Sequence, residues 1–295
     1  MVEVAEVKIW GDRVGAVSWN ESRGYASFEY DRKFLERGYD LSPIKMPIQQ
    51  AQSGRAIFEF PELNPDTYYG LPGMLSDSLP DRFGTLLLNR WLAEQGRELG
   101  EINPIERLCY TGSRGMGALE YWPPHAILES KSKTVEVDRL VRLASEVLSE
   151  RNKLQANMTN LDNDGLMEII RVGTSAGGAR AKAVIAYNKT TGDIRSGQID
   201  IITDYDYWII KLDGVYTEQL GDPLGYGKIE SAFDRIATDC GITMTECDLK
   251  WDGDRAHFMT KRFDRKDGGK IHMQTLCGLA HFDYNMPQAY GYEQA

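Results

Sequence analysis

Apolar and polar positions alternate through the first 30 residues. Ala5, Val7 and Ile9 interleave with Val4, Glu6 and Lys8. Beyond Gly11-Asp12, Val14, Ala16 and Ser18 interleave with Gly15, Val17 and Trp19. The period of two predicts a β-hairpin, with a third strand at 25–30. The period then lengthens. Phe83, Leu86, Leu87, Trp91 and Leu92 recur at helical spacing behind Pro80, which predicts an amphipathic helix over 81–98. A short strand follows at 118–122, closed by Pro123-Pro124.

The stretch 123–133, two prolines and then a polar run, reads as the main internal boundary and divides the chain into domains 1–125 and 134–295. Beyond it, Leu140, Val141, Leu143, Ala144, Val147 and Leu148 form the stripe of a helix starting near residue 134, with Glu136 and Asp138 at its N-terminal end. A second helix is expected over 165–172, and strands at 183–187, 198–202 and 207–212. A helix over 228–240 is expected to turn Ile229, Phe233, Ile236 and Ala237 inward and to end at Gly241. Strands near 248–251 and 256–263 are joined by Asp252-Gly253, and a last helix is expected over 273–282. The mixture reads as α+β.

Composition narrows the function. The 295 residues are 42% hydrophobic and 26% charged, ordinary for a globular protein. No apolar run approaches the roughly 20 residues of a membrane span, and the N-terminus has no signal-peptide pattern. A cytoplasmic protein with no membrane partner is expected. The net charge of −10 argues against direct DNA binding by this chain. Cys109, Cys240, Cys247 and Cys277 form no C-x-x-C pair, and His125, His257, His272 and His281 are scattered, so neither a disulfide framework nor a zinc site is expected.

Three stretches carry candidate chemistry. The first is Gly173-Thr174-Ser175-Ala176-Gly177-Gly178-Ala179-Arg180-Ala181-Lys182. So few side chains let backbone N–H groups approach phosphate oxygens. The spacing is not that of a P-loop, and the position ahead of successive strands is that of a kinase glycine-rich flap; a plain inter-strand loop is the alternative. The second is Trp208-Ile209-Ile210-Lys211-Leu212. A lysine within an apolar strand needs an anionic partner, which a kinase supplies as phosphate and a helix glutamate; Glu230 is the candidate. An outward-facing lysine is the alternative. The third runs Phe258-Met259-Thr260-Lys261-Arg262-Phe263-Asp264-Arg265, an apolar strand ending where a kinase hinge would meet adenine, or else an ordinary strand end with an Arg–Asp surface pair.

Together the words G-G-A-R-x-K, W-I-I-K and K-R-F-D-R-x-x-G-x-x-x-H resemble the HipA family of serine/threonine-protein kinase toxins. Gly70-Leu71-Pro72-Gly73 with Asp77-Ser78-Leu79-Pro80-Asp81 resembles its amino-terminal word, and Tyr110-Thr111-Gly112-Ser113-Arg114-Gly115-Met116-Gly117-Ala118-Leu119 resembles its R-x-G-M-G-A-L segment. The resemblance implies a HipA-like N-terminal subdomain followed by the N-lobe-like part of a protein-kinase-like fold. It implies ATP and Mg²⁺ as cofactors, a HipB-like helix-turn-helix antitoxin as partner with DNA reached only through it, and a protein substrate such as an aminoacyl-tRNA synthetase. Carried over by motif, Ser175, Ala176, Gly177, Gly178, Ala179, Arg180 and Lys182 cover the phosphates and Lys211 binds them beside Glu230. Lys261, Arg262 and Phe263 form the hinge, and Ser175 matches the autophosphorylated serine, with Thr174 as its competitor.

The family's N-x-D-x-H-x-K-N catalytic word and its metal-binding aspartate do not occur in residues 1–295, so the chain reads as truncated before the helical lobe is complete, and no residue is assigned to the metal. His281-Phe282-Asp283-Tyr284-Asn285 is only a faint likeness of a catalytic loop, since its asparagine follows the aspartate too closely. A non-catalytic module that holds antitoxin or nucleotide, and a small-molecule kinase on the same fold, remain as alternatives. Purified residues 1–295 are expected to show at most trace kinase activity, because removing such groups costs orders of magnitude in rate. Robust transfer of labelled phosphate to a protein substrate would overturn this.

Overall fold

The computed structural model describes residues 2–97, 102–125, 135–150, 170, 180–197, 203–215 and 224–294. The chain forms two compact units from interleaved stretches. Met1–Leu79, Glu98–Ala126 and Lys270–Ala295 make the first, and Pro80–Arg97 with Ile127–Gly269 the second. One crossing falls close to the boundary expected from the prolines. The helix after Pro80 and the tail after Gly269, however, pack with the other unit from the one that chain order suggests.

In chain order the first unit contributes β1 (Val4–Ile9), β2 (Asp12–Asn20), β3 (Tyr25–Tyr30), α1 (Arg32–Arg37), α2 (Ile48–Gln52), β4 (Ile57–Phe58), α3 (Pro65–Tyr68) and α4 (Gly73–Ser76). The chain then enters the second unit as α5 (Arg82–Glu94) and returns as α6 (Pro104–Thr111) and β5 (Leu119–Trp122). The expected hairpin is β1–β2, and its two-residue turn is Trp10-Gly11, with φ of 49° and 83°. Both turn residues need positive φ to match the twist of the strands, which is why a glycine stands there. The sheet is antiparallel throughout, in the order β4-β3-β2-β1-β5. Its core includes Val7, Phe28, Phe58, Leu75, Leu108 and Tyr121.

The second unit continues with α7 (Val137–Glu150), β6 (Lys182–Tyr187), β7 (Ile194–Ser196), β8 (Asp206–Lys211), α8 (Tyr226–Asp239), β9 (Cys247–Asp252) and β10 (Arg255–Lys261). Leu140, Val141, Leu143, Ala144 and Val147 of α7 are buried as their spacing predicts. The five strands form an antiparallel sheet in the order β7-β6-β8-β10-β9, with the lysine strand β8 at its centre and α8 inserted between β8 and β9. This fits the kinase-like N-lobe expectation. The strand expected at 198–202 lies outside the described residues, as does the helix at 165–172 except Ile170, which is helical and buried.

One inward-facing assignment is corrected. Ile229, Phe233 and Ile236 of α8 are 51%, 66% and 56% exposed, and Ala237 is only partly buried. The helix turns its other face to the sheet, where Gly227 is its one buried residue. Gly241 does follow the helix end with φ of 81°. No helix among the described residues is long and apolar enough to cross a membrane.

In the first unit the tail forms α9 (Leu276–Ala280), shorter than the helix expected over 273–282. Thr275 caps it by accepting from the Gly278 N–H at 3.1 Å, and His281 ends it at φ of 60°. Asp283 accepts from the Thr67 hydroxyl at 2.6 Å, the Asn64 amide at 2.8 Å and the Asn285 N–H at 2.9 Å. Its carboxylate is thus engaged in holding the tail to α3. His281 Nε2 accepts from the Gly73 N–H at 3.2 Å, and its ring meets Phe60 edge-on at 4.7 Å.

Burial, with a smaller contribution from Lys45, pushes the His281 pKa down to about 4. The unfolded chain takes up this proton below about pH 6.5, whereas the folded chain waits until about 4. Its contribution is therefore complete above pH 6.5 and is lost as pH falls toward 4. The melting temperature of the native protein should drop more steeply over that window than that of His281→Leu. Parallel melting curves for the two proteins would contradict the assignment.

Candidate functional site

In the antiparallel registers of the second unit, Lys182 on β6 pairs across from Lys211 on β8, and Lys211 across from Phe258 on β10. Residues directly opposite one another share a face of the sheet, so the two lysines stand side by side. An ammonium among buried strands is costly without a carboxylate. Each has one. Lys211 Nζ donates to Glu230 Oε2, and Lys182 Nζ donates to Asp81 Oδ2. The pairs differ in their access to solvent: the Lys211 and Glu230 side chains are 35% and 26% exposed, those of Lys182 and Asp81 3% and 5%. Burial pushes the Lys182 pKa down and the Asp81 pKa up, and each partner opposes the shift of the other. The open pair is worth about 0–1 kcal/mol to the fold; breaking the closed one by removing a single partner costs about 3–5 kcal/mol.

Glu230 is placed by a set of close contacts at the start of α8. Asp213, two residues beyond Lys211 in sequence, is buried, and its carboxylate accepts from the Gly225 N–H at 3.1 and 3.2 Å and from the Ala256 N–H at 3.2 Å. It thereby ties the end of β8 both to the residue before α8 and to β10. The Asp213 N–H donates to His257 Nδ1 at 2.9 Å, which leaves the neutral imidazole with its proton on Nε2. Gly227 then lies so near β10 that a Cβ there would stand 1.7 Å from the Ala256 carbonyl oxygen. Gly227, Glu230 and Asp234 recur at helical spacing on this face. The face is therefore small and polar, and the apolar residues of α8 are left on the other side.

The small-residue loop, including Ser175, Ala176, Gly177, Gly178 and Ala179, lies outside the described residues. At its C-terminal end the Arg180 guanidinium stacks on the Tyr226 ring, 3.2 Å from its centroid. At the proposed hinge, the Lys261 N–H donates to the Glu246 carbonyl and the Arg262 N–H to the Tyr207 carbonyl, both at 2.8 Å. The Lys261 carbonyl accepts from the Thr245 hydroxyl at 2.7 Å, and Lys261 Nζ reaches Asp206 at 2.7 Å. Arg262 forms a buried two-pronged pair with Asp264, at 2.9 and 2.7 Å, not the surface pair that the sequence allowed. Phe263 differs from both neighbours. Its side chain is 58% exposed, and among the described residues no hydrogen bond occupies its N–H or C=O.

Lys211, Glu230 and Lys182 are thus brought together, and Lys261, Arg262 and Phe263 continue the adjacent strand. Sequence reasoning missed Asp81, Asp213, Tyr226 and Gly227. Asp81 was visible as a residue of the S-L-P-D word and as the first residue of the expected helix, but nothing local connects it with a lysine 101 residues away. Asp213 and Gly227 carry no sequence signal of their own, since each matters through a strand that is adjacent only in space.

Comparison with known proteins agrees with this arrangement. The HipA N-terminal domain model matches residues 5–122 and the HipA-like C-terminal domain model residues 174–295. No curated protein matches the chain. In structure it is similar to a chain of the Shewanella oneidensis MR-1 toxin–antitoxin complex of HipA, HipB and operator DNA. The likeness has 17% sequence identity and a TM-score of 0.54, and covers 95% of this chain and 57% of that one. At that identity it shows the fold, and this chain spans little more than half the length of the solved one.

The Gly227 contact leads to a direct test. In Gly227→Ala, α8 must move off β10, and overpacking of this kind costs about 1–3 kcal/mol. Thermal melts should show a fall of several degrees, whereas Gly269→Ala, where a Cβ would meet only an ordinary contact at 3.4 Å from the Lys266 carbonyl oxygen, should show a smaller one. Equal melting temperatures for native protein and Gly227→Ala would refute the packing role.

Proposed function

Because the chain belongs to the HipA family, we propose that it forms the nucleotide-binding part of an ATP-dependent serine/threonine protein kinase, the toxin of a HipA/HipB-type toxin–antitoxin module. The observation that carries the reading is the Lys211–Glu230 pair, joining the central strand to α8 while remaining partly open to solvent. A surface pair of this kind contributes little stability, so its upkeep by Asp213 and Gly227 calls for another reason. Holding a cation ready for phosphate is such a reason.

The residues present suit a nucleotide. The Lys211 ammonium meets the phosphates, and Glu230 keeps its long side chain aligned. Arg180, braced on Tyr226, adds positive charge at the end of the small-residue loop. The vacant N–H and C=O of Phe263 suit the edge of adenine. Bound ATP supplies the phosphoryl group, with Mg²⁺ neutralising its charge. Among the described residues no group of three or more His, Cys, Asp or Glu is placed to hold a metal ion, so no residue is assigned to Mg²⁺. Ser175 is the proposed autophosphorylation site, where a phosphate would add about −1.5 to −2 charges beside the nucleotide's own and oppose its binding.

The proposed partners are a HipB-like antitoxin, through which DNA is reached, and a protein substrate of the aminoacyl-tRNA synthetase class. Similarity to a chain of a HipA–HipB–operator complex supports the first, and the net charge of −10 is consistent with indirect contact with DNA.

Calorimetric titration of the 295-residue chain with Mg²⁺ and a non-hydrolysable ATP analogue tests the nucleotide reading. Lys211→Ala should weaken binding by about tenfold or more, the scale of a lost charge-assisted contact, while its melting temperature stays close to native because the pair is partly solvated. No binding by the native chain, or equal binding by the variant, would overturn it.

A further inference from the structure

The junction between β8 and α8 contains one side chain whose charge can change near neutral pH. His257 on β10 is fully buried, and its Nδ1 accepts from the Asp213 N–H at 2.9 Å. Only the neutral ring can accept there, with its one proton on Nε2. Among the described residues that Nε2 meets no hydrogen-bond partner. A buried donor left unmet is costly, and a side chain that merely filled space would avoid the cost. What the ring supplies in return is the acceptor at Nδ1.

Burial lowers the His257 pKa from its ordinary 6.5. Asp213, beyond the end of β8, and Asp252 on β9 oppose that shift, and Arg255 on β10 itself adds to it. Arg255 is in turn paired with Asp252 at 3.6 Å and with Asp138 of α7 at 2.9 Å. A second proton on the ring must go to Nδ1, where it would point at the Asp213 N–H. Donor would then face donor, and the bond would be lost. The Asp213 carboxylate is not idle either, since it accepts from the Gly225 and Ala256 N–H groups. Turning it toward a charged ring would release the residue that precedes α8.

We propose that His257 is a positioning residue for the nucleotide site and a proton-sensitive latch on it: its neutral ring holds the Asp213 junction closed, and its protonation opens the junction and weakens nucleotide binding. The proposal rests on the nucleotide reading of this face. Lys211 lies shortly before Asp213 in the chain and Glu230 shortly after Gly225, so the junction sets how the two meet. His257 acts through that junction and touches no nucleotide group. The neutral ring belongs to the closed form, so binding is complete above about pH 6.5 and declines as pH falls below it. By the same linkage, bound nucleotide resists uptake of the proton.

The test is calorimetric titration of the 295-residue chain with Mg²⁺ and a non-hydrolysable ATP analogue, from about pH 7.5 down to about pH 5. The analogue's own phosphates titrate in this range, so proteins are compared at equal pH. His257→Asn can place an amide oxygen where Nδ1 stands and takes up no proton; His257→Leu offers no acceptor. At the upper end His257→Asn should bind within about threefold of native, and His257→Leu about three- to tenfold more weakly, the scale of one lost hydrogen bond. Toward the lower end native protein should lose a further factor of about three to ten relative to His257→Asn. Native protein and His257→Asn declining in parallel would overturn the latch, and equal binding by the two variants would overturn the positioning role. If neither variant folds, amide exchange in the native chain decides. After correction for the intrinsic pH dependence of exchange, the Asp213 and Gly225 amides should lose protection toward the lower end while those of β1 and β2 keep theirs. Unchanged protection at Asp213 and Gly225 would refute the proposal. If the native chain binds no nucleotide at any pH, the nucleotide reading fails, and the same exchange measurement tests the latch by itself.

Discussion

A lysine on an inner strand of a sheet cannot be left uncompensated, and the second unit is organised around two of them in register. Burying an isolated ammonium costs far more than any single hydrophobic contact returns, so the closed Lys182 obliges the fold to bring in a carboxylate, while Lys211, partly open to solvent, takes one at little gain in stability. Neither carboxylate comes from the sheet. Glu230 arrives on α8, and Asp81 as the residue that caps α5. The positions of both helices relative to the sheet are therefore bound up with charge as much as with apolar packing.

The same constraint explains why α8 looks inverted. An amphipathic helix ordinarily gives its apolar stripe to the core. Here the face turned to the sheet carries Gly227 and Glu230, because β10 approaches too closely for a side chain at 227, and the same face brings Glu230 to Lys211. Ile229, Phe233 and Ile236 are consequently left outside, and Trp251 of the neighbouring β9 is 55% exposed. Periodicity identified the helix but not the face that would be buried, since the decisive partner was a charge on another strand.

The interleaving of the units follows a related logic. The match to the HipA N-terminal domain runs through residues 5–122, yet Pro80–Arg97 packs in the second unit. This excursion is what delivers Asp81 to Lys182. The return of the tail to the first unit is secured in the same polar manner, through the bonds from Thr67, Asn64 and Asn285 to Asp283.

Much of this was legible in the chain. Alternation located β1, β2 and β3, helical spacing located α5, α7 and α8, and a lysine within W-I-I-K together with a downstream glutamate pointed to the Lys211–Glu230 pair. Those signals are local: a residue's own neighbours set its periodicity, its caps and the penalty for a charge among apolar residues. The tertiary structure decided which carboxylate neutralises Lys182, which face of α8 meets the sheet, and where the stretch after Pro80 packs. Each of these depends on atoms brought together from distant parts of the chain, where a 1.7 Å limit at Gly227 or a buried ammonium selects among arrangements that the sequence pattern leaves equally open.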